Sequence, residues 1–96
     1  MDRAVVMKPE DNVATCLVDI QAGSVETIGI KGVPTTVAIK QDIPFGHKIA
    51  LSDIAAGEHI IKYAEVIGSA SKAIAVGEHV HIHNVARLRR TRAQFF

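Results

Sequence analysis

Apolar and polar positions alternate along this chain over short distances, and glycine or proline interrupts them before any long amphipathic stretch develops. Ala4-Val5-Val6-Met7 is a short apolar run closed by Lys8-Pro9, the pattern of a first strand and a turn. Residues 13–18 read either as a buried strand or as the opening of a short helix capped by Asp11 or Asn12, and the strand is preferred. Residues 25–30 and 35–39, punctuated by Gly29, Gly32 and Pro34, read as two arms of a hairpin or a loop-linked pair.

From Asp42 onward the pattern repeats itself. Ile43-Pro44-Phe45-Gly46-His47-Lys48-Ile49, Ile54-Ala55-Ala56-Gly57-Glu58-His59-Ile60 and Ile74-Ala75-Val76-Gly77-Glu78-His79-Val80 share the form Ile-x-x-Gly-x-x-Ile/Val, and Ile20-Gln21-Ala22-Gly23 is a degraded copy. The unequal intervals exclude a solenoid. Each copy reads as an anchoring isoleucine, a turn relieved by its glycine, and a new strand, with Pro44 suited to a turn by its fixed φ. The pattern predicts a compact all-β domain, with single helical turns at Ser52-Asp53 and within residues 64–73.

The last copy runs into Gly77-Glu78-His79-Val80-His81-Ile82-His83-Asn84, which holds three of the five histidines. Read at a period of two, it is a strand that buries Val80 and Ile82 and lines its other face with His79, His81 and His83. Imidazoles at i and i+2 stand roughly 6–7 Å apart at their bases and those at i and i+4 about 13 Å, so one ion takes a pair, not all three. A solvated or interface face is the commoner role for such a row, with metal ligation and proton transfer as the chemical alternatives. His47 and Lys48, at a turn that feeds a strand, offer a titratable group beside a cation, suited to holding a carboxylate and moving a proton. Tyr63 ends an expected strand over residues 58–63, on the face of His59 and Ile61, as a core or interface side chain.

Composition changes this picture little. Ninety-six residues make one domain with a single modest core, and few aromatics leave Val, Ile, Ala and Leu to build it. A lone cysteine, Cys16, forms no internal disulfide, and without a leader-like N-terminus or an apolar run near ~18 residues the expectation is a cytoplasmic protein off the membrane. The charge is close to neutral, but four of the eleven basic residues fall between Arg87 and Arg92. The division expected is therefore a domain over residues 1–85 and a basic tail or interface arm over 86–96, with Phe95-Phe96 as a plug for another chain if ordered. A basic tail without interleaved aromatics or a basic body is a poor nucleic-acid footprint, so none is expected. No phosphate loop, cysteine-rich zinc pattern or nucleophile elbow is present.

Four separated motifs together carry a resemblance: Asp11-Asn12-Val13-Ala14, the run from Ile43-Pro44-Phe45-Gly46-His47-Lys48 through Asp53-Ile54, Ile61-Lys62-Tyr63 with Ile67-Gly68, and the histidine row. In this order they resemble the N-terminal domain of the altronate and galactarate dehydratase family. The resemblance implies a SAF domain of β-clip fold, fused to a large catalytic domain or, as in sulfolactate sulfo-lyase, forming a separate small subunit. It implies β-elimination on a sugar acid or related C3 acid, assisted by Fe(II) or another divalent metal shared with the large subunit. It makes His47 and Lys48 the catalytic candidates. Lys48, Tyr63 and His83 become substrate-binding candidates, and His79 and His81 metal ligands completed by the partner chain. The partners implied are a large dehydratase-like subunit and a sugar-acid substrate, with an isolated chain that is inactive and able to pair with itself. The alternative is a freestanding SAF module that binds carbohydrate or protein without catalysis.

Overall fold

The computed structural model describes residues 2–87, so most of the basic stretch and Phe95-Phe96 lie outside the described residues. Among the described residues, nine strands run in the order β1 (Ala4–Val5), β2 (Val13–Cys16), β3 (Val25–Ile30), β4 (Val33–Ala38), β5 (Lys48–Ala50), β6 (His59–Lys62), β7 (Glu65–Ala70), β8 (His79–Val80) and β9 (Val85–Ala86). They form an antiparallel four-stranded sheet in the order β1-β2-β5-β8, a β3-β4 hairpin and a three-stranded β6-β7-β9 sheet. The all-β expectation holds.

The four-stranded sheet is apolar on both faces, which explains why residues 13–16 are nearly continuous in apolarity rather than alternating. Ala14, Cys16 and Ile49 pack into one cluster with Ile20, Ile28, Val37, Ile39 and Ile43. Val13, Ala50 and Val80 pack into a second with Ile54, Ile60, Ala70 and Ile74.

The internal repeat supplies the frame for both clusters. Ile20 bridges Ile43 and Ile54 bridges Ile74, each antiparallel, and all four isoleucines are buried. Fully burying such a side chain contributes roughly 1.5–3 kcal/mol. The copy at Ile20, degraded as sequence, is complete as structure. The four turn glycines, Gly23, Gly46, Gly57 and Gly77, share φ between 85° and 90°, where a side chain is strained. Their amides donate to the carbonyls of Ile39, Cys16, Ala70 and Ala50. Gly77 has a second reason to be glycine: a Cβ there would run into the Ala38 carbonyl oxygen.

Three local expectations are overturned. No helix forms among the described residues. The chain bends at Leu51-Ser52, and much of the 64–73 segment is β7, folded back on β6 by a two-residue turn in which Tyr63 and Ala64 take φ of 59° and 61°. Asp11 caps no helix; its buried carboxylate accepts from Tyr63 N at 3.1 Å and Ala64 N at 2.8 Å, holding that turn. Tyr63 is consequently outside the strand and 54% exposed, not in the core.

The histidine strand also ends early, at Val80. Residues 81–84 turn because Asn84 folds back to the preceding backbone, accepting from His81 N through Oδ1 at 2.9 Å. Val80 is buried as expected, but Ile82 is 84% exposed.

Candidate functional site

β5 and β8 build the site through their register. Ile49 lies opposite His79, so both point to the same face of the sheet. His47, two residues before Ile49, falls on that face as well, while Lys48, opposite Val80, points to the other. Continued one step past Lys48–Val80, the same antiparallel register sets His81 opposite His47.

The result is a stack of three imidazoles with His47 against both others. Its ring centroid lies 3.7 Å from that of His81 and 5.0 Å from that of His79, with interplanar angles of 12° and 18°. Nδ1 of His47 and Nε2 of His79 are 2.8 Å apart, one ring donating and the other accepting. Ring nitrogens of His47, His79 and His81 all lie within 4.8 Å of one another. His83 stands outside this triangle, its ring tilted 36° at 4.9 Å from His79.

The electrostatics keep two of these rings uncharged. Burial, and then the neighbouring His83, His47, His81 and Lys48, push the His79 pKa down from 6.5 to about 4. Burial lowers His81 as well, with His47, Lys48 and His83 adding to it. Neutral imidazoles offer lone pairs, the form in which histidine binds a metal.

Two further observations test the fit of a divalent ion. Nδ1 of His81 is buried without a hydrogen-bond partner, a costly arrangement that a ligand would relieve. The 2.8 Å between His47 and His79 nitrogens is close to the roughly 3 Å between neighbouring ligands on bonds of about 2.0–2.1 Å. His47, His79 and His81 therefore supply the donors of a three-imidazole site, with the near-parallel rings having to turn out of their stack to aim in-plane lone pairs at one ion.

Of the residues singled out from sequence, His79 and His81 come together as expected, and His47 joins them from a segment 32 residues away. Lys48 is half-buried on the opposite face; burial lowers its pKa, and the nearby Lys62 charge lowers it further. Tyr63 sits at the β6–β7 turn, on a different sheet, with the Lys62 ammonium 5.2 Å from its ring centroid. The residue sequence reasoning missed is Asn84, which is 3% exposed and fixes the turn carrying His81. A groove of about 530 Å³ lined by Asn12, Asp53, Glu58 and His59, among others, lies apart from the His47–His79–His81 triangle.

Comparison with known proteins agrees with this architecture. Residues 2–88 match the family model described as the altronate/galactarate dehydratase SAF domain. The chain is 43% identical over 84 residues to the altronate dehydratase of Bacillus subtilis (strain 168), covering 88% of this chain and 16% of that protein. With the altronate dehydratase of Escherichia coli (strain K12) it shares 46% identity over 74 residues, 77% of this chain and 14% of that one. The chain thus spans about one-sixth of these two relatives. By contrast, a match at 39% identity over 84 residues covers 84% of this chain and 89% of the (2R)-sulfolactate sulfo-lyase subunit alpha of Chromohalobacter salexigens.

Proposed function

The chain belongs to the altronate/galactarate dehydratase SAF-domain family, and from that premise we propose that it is the small subunit, or the equivalent domain, of a lyase acting on a hydroxy acid. The reaction is a β-elimination: the proton next to the carboxylate is removed, the hydroxyl or sulfo group on the next carbon departs with its bonding electrons, and the enol formed tautomerises to a keto acid. The observation that carries this reading is the convergence of His47, His79 and His81 on one exposed edge of the sheet.

In this reading the three imidazoles hold Fe(II) or another divalent metal, with remaining ligands from the large subunit and the substrate. The metal, when bound, supplies Lewis-acid stabilisation of negative charge on substrate oxygen. Lys48 would hold the substrate carboxylate only where the substrate reaches past the strand to the opposite face of the sheet, since its side chain points away from the imidazoles. His83, outside the triangle, contacts the substrate, as does Tyr63 from the turn of the three-stranded sheet. The large subunit covers the imidazole edge and excludes water, which strengthens every charge interaction inside. That a relative of nearly the same extent carries the name subunit alpha supports a partner chain of this kind.

Co-expression with a large dehydratase-type subunit encoded nearby tests the proposal. The expected result is copurification, and Fe(II)-dependent turnover of altronate, galactarate or (2R)-sulfolactate by the complex but not by either chain alone. Turnover by the pure 96-residue chain, or consistent failure to copurify, overturns it.

A further inference from the structure

We infer that Asn84 is a positioning residue for the imidazole triangle, its buried amide fixing the backbone on both sides of Val80 so that His79 and His81 meet His47. This inference rests on the metal-binding reading of the triangle given above.

The side chain of Asn84 uses both ends of its amide on the same short stretch. Oδ1 accepts from His81 N at 2.9 Å, and Nδ2 donates to His79 O at 2.8 Å. The backbone completes the clamp: Asn84 N donates to His81 O at 3.1 Å, and Asn84 O accepts from Ser71 N at 3.0 Å. An amide only 3% exposed loses water on folding, so each of these bonds is costly to leave unmade.

The geometry states what the clamp accomplishes. The β5–β8 register, continued one step past Lys48–Val80, sets His81 opposite His47, but no β-pairing beyond Val80 holds it there. Where pairing stops at Val80, Asn84 takes over, its bond to His81 N holding that residue at the start of the 81–84 turn with its ring 3.7 Å from that of His47. His79 is braced from its other side as well, its amide donating to Gln41 Oε1 at 2.9 Å. The backbones of both imidazole residues on the later segment are therefore held by amide side chains. Groups that orient ligands in this way typically change metal affinity 10–100-fold when removed.

The test is Co(II) titration of the full-length apo chain, followed by visible absorption and circular dichroism. The wild type should develop Co(II) bands distinct from the aquo ion, and His81→Ala should lose them. Asn84→Ala should bind Co(II) 10–100-fold more weakly with an altered spectrum, and Asn84→Ser, which keeps one small polar group in the slot, should fall between. Asp11→Ala, which releases the Tyr63–Ala64 turn on the other sheet, should lower the melting temperature but leave Co(II) affinity unchanged. A folded Asn84→Ala with wild-type affinity and spectrum overturns the positioning role. If Asn84→Ala does not fold, Asn84→Ser decides, wild-type binding by it being the overturning result. Absence of any Co(II) bands in the wild type overturns the metal reading itself, and this inference with it.

Discussion

Asp19 and Asp42 each hold the other's turn: Asp19 Oδ1 accepts from Phe45 N and Asp42 Oδ1 from Ala22 N, both at 2.8 Å. Each precedes a bridging isoleucine, Ile20 or Ile43, so the repeat is better written Asp-Ile-x-x-Gly, with the aspartate reaching across the bridge to the opposite turn. The second pair keeps half of this exchange. Asp53 accepts from Val76 N at 3.0 Å, but exposed Ala73 stands where the fourth aspartate belongs.

Restoring the missing cap should therefore stabilise the fold. Ala73→Asp places a carboxylate opposite Ala56 N, the donor matching Ala22 N, Phe45 N and Val76 N. At an exposed site the gain is about 0.5–1 kcal/mol, a rise of a few degrees in melting temperature for a domain of this size. Asp42→Ala should lower it by a similar amount. Thermal unfolding by circular dichroism reads both, and a lower melting temperature for Ala73→Asp would break the pseudo-symmetric account.

The triangle and the row make different predictions for His47 and His83. If metal binding follows the triangle, alanine at His47, His79 or His81 removes a ligand and Co(II) affinity drops by at least 10-fold, whereas His83→Ala leaves it within about two-fold. If the row of three consecutive histidines is the site, His83→Ala weakens binding and His47→Ala does not. Isothermal titration of the four variants separates the two.

Much of the fold was legible because it rests on repetition. The isoleucines and turn glycines followed from spacing, and β3 and β4 were legible as either a hairpin or a loop-linked pair, but the partners did not follow. Ile20 pairs with Ile43 and Ile54 with Ile74, and nothing in unequal intervals says which copies bridge. At the site, His79 and His81 were legible as a same-face pair, while His47 required the Ile49–His79 register. One signal did lie in the repeat. Glu58 and Glu78 follow their glycines and accept from Ala55 N and Ala75 N within the same turns. In the copy containing His47 the matching residue is Pro44, which has no N–H, so that position is released from capping and is free to carry an imidazole. The early end of the histidine strand was hidden because a lone Asn84 signals nothing until its amide is seen to turn back.

Cys16 gives the fold a pH dependence at the alkaline end. Burial chiefly, with the Glu26 carboxylate adding to it, raises the thiol from an ordinary 9.0 to about 11. Above pH 9 the unfolded chain releases a proton that the folded chain keeps, so this contribution to stability is whole below pH 9 and declines as pH rises toward 11. Denaturant unfolding between pH 8 and 11 should show a shallower loss of stability for Cys16→Ala than for wild type, on top of that variant's uniform cavity cost. The native thiol should also react with alkylating reagents only as fast as the domain opens, and rapid modification without unfolding would contradict its burial.

The imidazole edge carries two exposed apolar side chains that the fold itself does not need. Phe45, 65% exposed, precedes Gly46-His47, and Ile82, 84% exposed, separates His81 from His83. If a large subunit closes over the imidazoles, these side chains enter its surface, and an aromatic anchor of this kind costs more than 1 kcal/mol to truncate at an interface centre. Phe45→Ser and Ile82→Ser should then each weaken the complex by roughly 10-fold while leaving the melting temperature of the isolated chain nearly unchanged. Val25→Ser, at an equally exposed position on the β3–β4 hairpin, should leave affinity as it is. Surface plasmon resonance with the large subunit immobilised measures all three. Equal affinities across the set would move the partner to another face and leave the imidazoles open to solvent in the proposed complex.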